Sequence, residues 1–197
     1  ILLHSVDFAE IEQLQVAGQW QQAGVLLAQA AAGLEQAGAE LLLICTNLMH
    51  KVAPQIESAV RIPLLHIADA TGMEIQRRGL QKVGLLGTRY TMEEDFYRQR
   101  LKDKFAVAAL IPNAGDRELI HRIIFEELCC GQLKDASRRS YLTIIEKLRQ
   151  QGAEGVILGC TEIPLLVTPE DIDLPLFDTA QLHVKQALET CLTDQPF

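Results

Sequence analysis

The chain contains an ungapped internal repeat, and this feature constrains its fold more than any other. The first copy reads Gly-Ala-Glu-Leu-Leu-Leu-Ile-Cys-Thr-Asn over residues 38–47, and the second reads Gly-Ala-Glu-Gly-Val-Ile-Leu-Gly-Cys-Thr over residues 152–161. Each copy follows an amphipathic helical pattern, passes through an apolar strand and ends on small polar residues. Repeated units of this kind commonly pack as pseudo-symmetric halves, so that a site between them receives one group from each copy. The alignment places Thr46 opposite Cys160.

Composition restricts the kinds of partner that the chain can have. Of the 197 residues 48% are hydrophobic, which is ample for a buried core. The net charge of −8 disfavours nucleic acid and anionic membrane as partners, because phosphate binding needs clustered Lys and Arg. No apolar run is long enough to span a bilayer. We expect a cytoplasmic enzyme that acts on a small molecule. We also expect a homodimer, because the predicted helix 20–36 has more apolar residues than one buried face needs.

The cysteines predict neither a metal site nor a disulfide framework. There are five of them, an odd number, and none forms a Cys-x-x-Cys pair; they are Cys45, Cys129, Cys130, Cys160 and Cys191. Free thiols are typical of a reducing compartment. Most buried cysteines act as small hydrophobic residues, and we interpret Cys129, Cys130 and Cys191 in this way.

Apolar strands alternate with amphipathic helices along the chain, a pattern typical of parallel sheets covered by helices. Capping boxes at Asp7 and Thr91 predict two helix starts. The predicted strands are 1–6, 41–44, 63–67, 82–86, 106–111, one in the second repeat and one after Pro175; the longer predicted helices are 20–36, 70–80, 91–104, 116–130, 135–151 and 179–191. We expect an α/β fold with a first domain over 1–80, completed by the terminal segment 179–197, and a second domain over 81–178.

Small polar residues follow four of the predicted strands, at the edge where parallel sheets bind ligands. These strand ends are Cys45-Thr46-Asn47, His66, Gly87-Thr88 and Gly159-Cys160-Thr161-Glu162. Cys160 precedes a predicted helix, and a helix N-terminus lowers the pKa of a nearby thiol. We therefore interpret Cys160 as a reactive thiol rather than a packing residue.

Three segments resemble the aspartate/glutamate racemase family over nearly the entire chain and in the same order. They are Gly159-Cys160-Thr161-Glu162, Gly84-Leu85-Leu86-Gly87-Thr88 and residues 46–52, Thr-Asn-Leu-Met-His-Lys-Val. The resemblance implies two similar parallel-sheet α/β domains with the active site in the cleft between them. It also implies racemisation of acidic amino acids without pyridoxal phosphate or another cofactor, one thiol removing the α-proton and another protonating the opposite face. The family's first segment, a glycine-rich strand and turn, has no counterpart in this sequence.

Two residues depart from the family pattern. Thr46 stands where the first catalytic cysteine is expected, which resembles atypical Thr/Cys members specific for L-aspartate and L-glutamate. Separately, Leu48 replaces a threonine and so removes a hydroxyl that would otherwise contact the substrate. Because side chains alternate along a strand, we expect Thr46 to face the cleft and Cys45 to pack behind it. A hydroxyl is far less acidic than a thiol. We therefore predict that catalytic Thr46 and Cys160 treat the two enantiomers unequally.

Further candidates for substrate binding have ordinary structural roles as alternatives. Asn47, Leu48 and Thr161 adjoin the two catalytic positions; Asn47 and Thr161 could bind the α-carboxylate or cap helices. Thr88 could bind a carboxylate or cap a turn, and Glu162 could orient the substrate ammonium or complement a helix dipole. Gln15 is a weaker candidate, because solvated glutamines on helices are common.

The basic residues near these motifs leave similar alternatives open. Lys51 and Arg89 are candidates for the distal carboxylate, although ordinary surface charge is the favoured interpretation. His50, His66 and His183 could act as general bases only if they line the cleft, and we favour structural roles for all three.

Two other functions remain open at this level. A decarboxylase or cis–trans isomerase of the same superfamily would use Cys160 alone, whereas Thr46, Leu48 and the lack of the first segment are also consistent with an inactive ligand-binding homologue. The sequence leaves the choice between aspartate, glutamate and a broader range of amino acids open.

Overall fold

Two parallel β-sheets with flanking helices make up residues 1–192, which are the residues that the computed structural model describes. The strands are β1 Leu42–Leu43, β2 Leu64–Leu65, β3 Lys82–Gly87, β4 Ala108–Leu110, β5 Val156–Gly159 and β6 Leu176–Asp178. The α-helices are α1 Phe8–Val16, α2 Trp20–Gln36, α3 Ala53–Ala59, α4 Ile67–Arg77, α5 Arg89–Glu93, α6 Asp95–Phe105, α7 Ala114–Glu126, α8 Asp135–Gln150, α9 Ile163–Leu166 and α10 Thr179–Leu192. Short 3₁₀ helices span Leu48–Val52 and Leu128–Cys130. The fold is therefore α/β, as predicted; residues 193–197 of the predicted terminal segment lie outside the described residues.

The internal repeat has the same backbone geometry in both copies. Gly38 and Gly152 each adopt a φ of 94°, a left-handed conformation that ends α2 and α8. The next amide bonds back to the helix in both copies, Ala39 N–H to the Leu34 carbonyl at 3.0 Å and Ala153 N–H to the Leu148 carbonyl at 3.0 Å. The copies then continue into β1 and β5, one in each sheet.

The sheets differ in size, but all their strands are parallel. β1 pairs with β2 alone, whereas the second sheet has the order β4-β3-β5-β6. In the second sheet Gly87 pairs with Gly159 and Leu158 pairs with Asp178. The carboxyl ends of the three neighbouring strands β3, β5 and β6 therefore lie side by side.

Each sheet has its own hydrophobic core. The smaller core packs α1, α2 and α3 on β1 through residues such as Ile11, Leu42 and Ile56. The larger core surrounds the second sheet and includes Ile67, Ala68 and Ile75 of α4. The predicted domain boundary near residue 80 stays a prediction. None of the helices within residues 1–192 is long and apolar enough to cross a membrane.

Several local predictions are wrong. The predicted strand over residues 1–6 is absent, because this segment pairs with no strand and most of it is exposed. Thr91 does not cap its predicted helix; it is buried inside α5, which Thr88 caps by accepting a hydrogen bond from the Thr91 amide. The extended backbone of Glu94 then separates α5 from α6, so the predicted single helix is two helices.

Candidate active site

The register of the second sheet puts Thr88 and Cys160 directly after two paired residues at one edge of the sheet. Gly87 and Gly159 are paired partners at the ends of β3 and β5, and Thr88 and Cys160 are the next residues on the two strands. A Cβ atom at Gly159 would lie 2.8 Å from the Leu86 carbonyl oxygen, which is too close. Glycine at this position thus allows the two strand ends, and the residues that follow them, to approach closely.

A hydrogen-bonded chain connects the end of the first sheet to this edge. The Asn47 side chain, 4% exposed, donates from Nδ2 to Thr179 Oγ1 at 2.9 Å. Thr179 in turn donates to the Leu158 carbonyl at 3.0 Å, two residues before Cys160. The turn that carries Thr46 is therefore tied to the carboxyl end of β5. The Asn47 Oδ1 atom is buried and has no hydrogen-bond partner in the structure.

Thr179 is the residue of this edge that sequence reasoning missed. It begins α10 directly after β6, and its hydroxyl both accepts from Asn47 and donates to Leu158. The sequence did contain a signal for this residue, because Asp178-Thr179 is another pair of polar residues at the end of a strand of the same parallel sheet.

Cys160 lies partly buried beside a carboxylate. Its thiol donates a hydrogen bond to Glu162 Oε2 at a distance of 2.8 Å. Burial raises the pKa of the Cys160 thiol, and the hydrogen bond to Glu162 raises that pKa further. The expectation of a lowered pKa is therefore wrong. The following helix, α9, has only four residues, and the nearest charge is negative.

The arrangement of Cys45 and Thr46 differs from the prediction. Cys45 is exposed, whereas Thr46 is partly buried, so Cys45 does not pack behind Thr46. The alternation rule fails here because β1 ends at Leu43 and the chain then bends over 45–47. The Thr46 amide donates to the Ile44 carbonyl at 2.8 Å, which closes this bend.

The other candidate residues near the two predicted catalytic positions differ in how exposed they are. Thr88 is partly buried and its hydroxyl lies 3.2 Å from the Thr91 hydroxyl. Thr161 is exposed. Leu48 is 8% exposed and belongs to neither hydrophobic core. The Asn47 side chain caps no helix, in contrast to its alternative role.

Gln15 is buried rather than solvated. It is 8% exposed, and its Nε2 donates to the Met49 sulfur at 3.0 Å. This contact attaches α1 to the 3₁₀ helix that follows Thr46. The expectation of a solvated glutamine is wrong because α1 packs this face onto the smaller core.

Lys51 contacts side chains from other parts of the fold and is not a free surface charge. Its ammonium lies 2.8 Å from Glu94 Oε2 and 4.0 Å from the centre of the Trp20 ring. The Trp20 ring meets Tyr90 edge to face at 6.2 Å. Arg89 lies 3.6 Å from Glu118 on the surface. Lys51 is thus committed to contacts between the residues around β1 and those after β3.

The three candidate histidines form a buried cluster. The His50 ring lies 4.4 Å from that of His66 and 5.7 Å from that of His183. All three have lowered pKa values, mainly because of burial, with His50 at about 4 and His66 at about 2. They are therefore neutral at physiological pH, and their hydrogen bonds run to backbone groups. Within residues 1–192 no group of three or more His, Cys, Asp or Glu side chains is arranged to hold a metal ion.

Two surface grooves lie away from these residues. One of about 350 Å³ is bordered by α1 and α2, and another of about 550 Å³ runs along α10. Neither includes a predicted catalytic residue. We place the candidate site at the strand ends, because convergent polar groups rather than groove size allow proton transfer.

The fold and this edge define an α/β protein of two parallel sheets with a thiol and several hydroxyl and amide groups gathered where the strands end. A model of the Asp/Glu/Hydantoin racemase family matches residues 1–187. The chain therefore belongs to this family, which confirms the resemblance.

Solved structures and a curated protein are similar to the chain at different levels. A Yersinia pestis protein assigned to the Asp/Glu racemases is 53% identical, with a TM-score of 0.93 over 98% of this chain and 84% of that chain. An aspartate racemase homologue from Pyrococcus horikoshii OT3 is 39% identical, with a TM-score of 0.86 over 98% and 83%. A broad specificity amino-acid racemase of Bacillus subtilis (strain 168) is 24% identical over 84% of this chain and 70% of its own length.

Proposed function

We propose that the protein racemises an acidic amino acid, aspartate or glutamate, by proton transfer at both faces of the α-carbon. Cys160 serves one face, and Thr46, or a water molecule bound to it, serves the other. The reaction uses no pyridoxal phosphate and no metal. Similarity to the aspartate racemase homologue of Pyrococcus supports an acidic substrate, and similarity to the broad specificity racemase of Bacillus supports racemisation of amino acids in general.

One observation carries the proposal: the Thr46 turn and the Cys160 strand end are joined through buried side chains. Asn47 reaches Thr179, and Thr179 reaches Leu158 in the strand that ends at Cys160. The turn that carries Thr46, after a strand of the first sheet, is thereby tied to the strand of the second sheet that leads to Cys160. Two groups that approach one carbon from opposite sides are what inversion requires.

The Glu162 carboxylate gives the thiol a way to act as a base. Cys160 rests as a thiol that donates to Glu162. As the sulfur takes the α-proton, the original thiol proton passes to the Glu162 carboxylate, so the step creates no unpaired thiolate. Thr46 delivers its hydroxyl proton to the opposite face, and solvent returns the proton from Glu162 to Thr46. Turnover from the enantiomer that presents its α-proton to Cys160 should exceed turnover from the other.

Deuterium incorporation tests the proposal. The chain is incubated in D₂O with L- and D-aspartate and with L- and D-glutamate, and deuterium at Cα and the enantiomeric ratio are followed together. Exchange with inversion supports racemisation, and unequal kcat values from the two enantiomers support the Thr46–Cys160 asymmetry. Binding without any exchange would instead identify an inactive ligand-binding homologue.

A second candidate function rests on the protonated state of Cys160. A thiol with a raised pKa is suited to protonate the carbanion that a decarboxylation leaves, and in a cis–trans isomerase the same sulfur would instead add to the double bond and leave after rotation. Release of carbon dioxide from a substituted malonate, or isomerisation of maleate, without Cα exchange of amino acids would favour this alternative.

We further expect the protein to act in the cytoplasm as a homodimer. Free thiols fit a reducing compartment, and the exposed Val184, Leu188 and Leu192 form an apolar stripe along α10. Sedimentation equilibrium tests the assembly, and a monomer at all concentrations would exclude it.

A further inference from the structure

His50 follows the Thr46 turn but has no part in the proton transfers described above. It lies in the 3₁₀ helix Leu48–Val52 and is 2% exposed. Its backbone amide closes the turn by donating to the Asn47 carbonyl at 3.2 Å. The side chain is therefore buried directly beneath the segment that carries Thr46.

Both ring nitrogens of His50 are engaged with backbone groups of opposite kind. Nδ1 lies 2.8 Å from the Thr46 carbonyl oxygen, and Nε2 lies 3.2 Å from the Ile67 amide nitrogen. A carbonyl can only accept and an amide can only donate, so Nδ1 carries the proton and Nε2 is bare. One neutral tautomer satisfies both partners.

The other two histidines of the cluster hydrogen-bond the backbone on either side of Ile67. Ile67 begins α4, and the next free amide of the helix, that of Ala68, donates to His66 Nδ1 at 3.2 Å. His183 of α10 holds the preceding strand by donating from Nε2 to the Leu65 carbonyl at 2.7 Å. The Ile67 amide, which can only donate, keeps His50 Nε2 unprotonated and so leaves the Nδ1 proton for the Thr46 carbonyl.

From this geometry we infer that His50 is a positioning residue for Thr46: its Nδ1 proton fixes the peptide plane after Thr46 and hence the direction of the Thr46 hydroxyl towards Cys160. This inference rests on the proposed racemase function. Its physical basis is that His50 holds the carbonyl of Thr46, and the hydroxyl of this same residue must reach the substrate α-carbon.

A matched pair of substitutions separates the two hydrogen bonds. In His50→Asn the amide nitrogen takes the place of Nδ1 and keeps the donor to Thr46, but nothing reaches Ile67. In His50→Gln the terminal amide takes the place of Nε2 and keeps an acceptor for Ile67, but the donor to Thr46 is lost. His183→Gln, which keeps a donor for Leu65, is the control within the same cluster.

If His50 positions Thr46, His50→Gln lowers kcat by about 10- to 100-fold, because a reacting group misplaced by about 1 Å costs up to this much. KM changes by less than about threefold, since substrate binding is not the step affected. His50→Asn and His183→Gln retain kcat within about fivefold per folded molecule. Thermal unfolding of each variant gives the fraction of folded protein, and kcat is calculated per folded molecule.

The results that overturn the inference are distinct. A His50→Gln variant with wild-type kcat, or equal losses in both His50 variants, removes the positioning role while the racemase function stands. A wild type that exchanges no Cα proton overturns the proposed function instead. The ¹⁵N spectrum of the wild-type imidazoles gives a readout independent of activity and of variant folding, and a proton found on His50 Nε2 would contradict the tautomer on which the inference depends.

Discussion

At the scale of single residues, the proposed chemistry depends on Cys160 and its surroundings. The sequence predicts a reactive thiol at this position, but the structure surrounds the thiol with apolar groups and the Glu162 carboxylate, so its pKa is raised rather than lowered. The bend over 45–47 leaves Thr46 partly buried and Cys45 exposed, and Thr46 is the residue proposed for the opposite face.

Serine substitutions at the cysteines test these assignments. Cys160→Ser should lower Cα exchange by about 10²–10⁴-fold, the contribution of a general acid–base group. Cys45→Ser should leave most of the exchange if, as proposed, the adjacent Thr46 rather than Cys45 serves the second face; Cys191→Ser on α10 is the control. Loss of exchange in Cys45→Ser would make the exposed Cys45 the second base in place of Thr46.

Replacing Glu162 separates thiol acidity from catalysis. In Glu162→Gln the pKa of Cys160 should fall, because the carboxylate that raises it is gone, although burial still keeps it high. Each unit by which the pKa falls increases the thiolate fraction about tenfold, and the rate of alkylation by iodoacetamide at pH 8 about threefold, because a thiolate of lower pKa is a weaker nucleophile. Racemisation should nevertheless decrease, since the acceptor of the thiol proton is removed. The exposed Glu57→Gln variant should change neither rate.

At the scale of single elements, the space around a glycine determines how its strand or helix tolerates a substitution. Gly159 at the end of β5 has no room for a Cβ, which would lie 2.8 Å from the Leu86 carbonyl oxygen, whereas a Cβ at Gly33 in α2 would meet nothing within 4 Å. The same chemical change should therefore have opposite effects at the two positions.

Gly159→Ala should decrease the free energy of unfolding by about 1–3 kcal/mol, because a backbone atom must move to admit the methyl group. Gly33→Ala should increase it by about 0.5–1 kcal/mol, because alanine loses less backbone entropy in a helix. Urea denaturation of both variants measures the two changes. Equal destabilisation would show that the close contact between β3 and β5 is not the cause.

At the scale of the whole molecule, the histidine cluster joins the elements of the two sheets. His50, His66 and His183 connect the 3₁₀ helix, β2, α4 and α10 through backbone hydrogen bonds. The charges around the cluster are Arg100 and Lys104, which disfavour protonation, and Asp69, which favours it but is paired with both of these cations. Burial keeps the cluster neutral.

Acid should therefore unfold the protein through these histidines. Their pKa values are lowered in the folded state, to about 4 for His50, so the unfolded chain binds protons first as the pH falls below about 6.5. Stability is fully present above that pH and is lost towards pH 4, by about 1.4 kcal/mol per pH unit for each histidine involved. Urea titrations between pH 7 and pH 4 measure the slope. The exposed His4→Gln should keep it, and a His183→Gln slope equal to that of the wild type would exclude His183 as a contributor.

Local patterns predicted most of the elements, because helix periodicity, apolar strands and helix-ending glycines act over a few residues. Helix α2 has the predicted bounds, α10 begins at the predicted residue, and the repeat glycines share one conformation. Contacts between distant positions could not be predicted in this way. The Asn47–Thr179 bond spans 132 positions and the His183–Leu65 bond spans 118, and the exposure of Cys45 depends on where β1 ends. The local sequence therefore predicts which residue types could do the chemistry. Packing alone decides which of those residues meet, which are protonated and which face solvent.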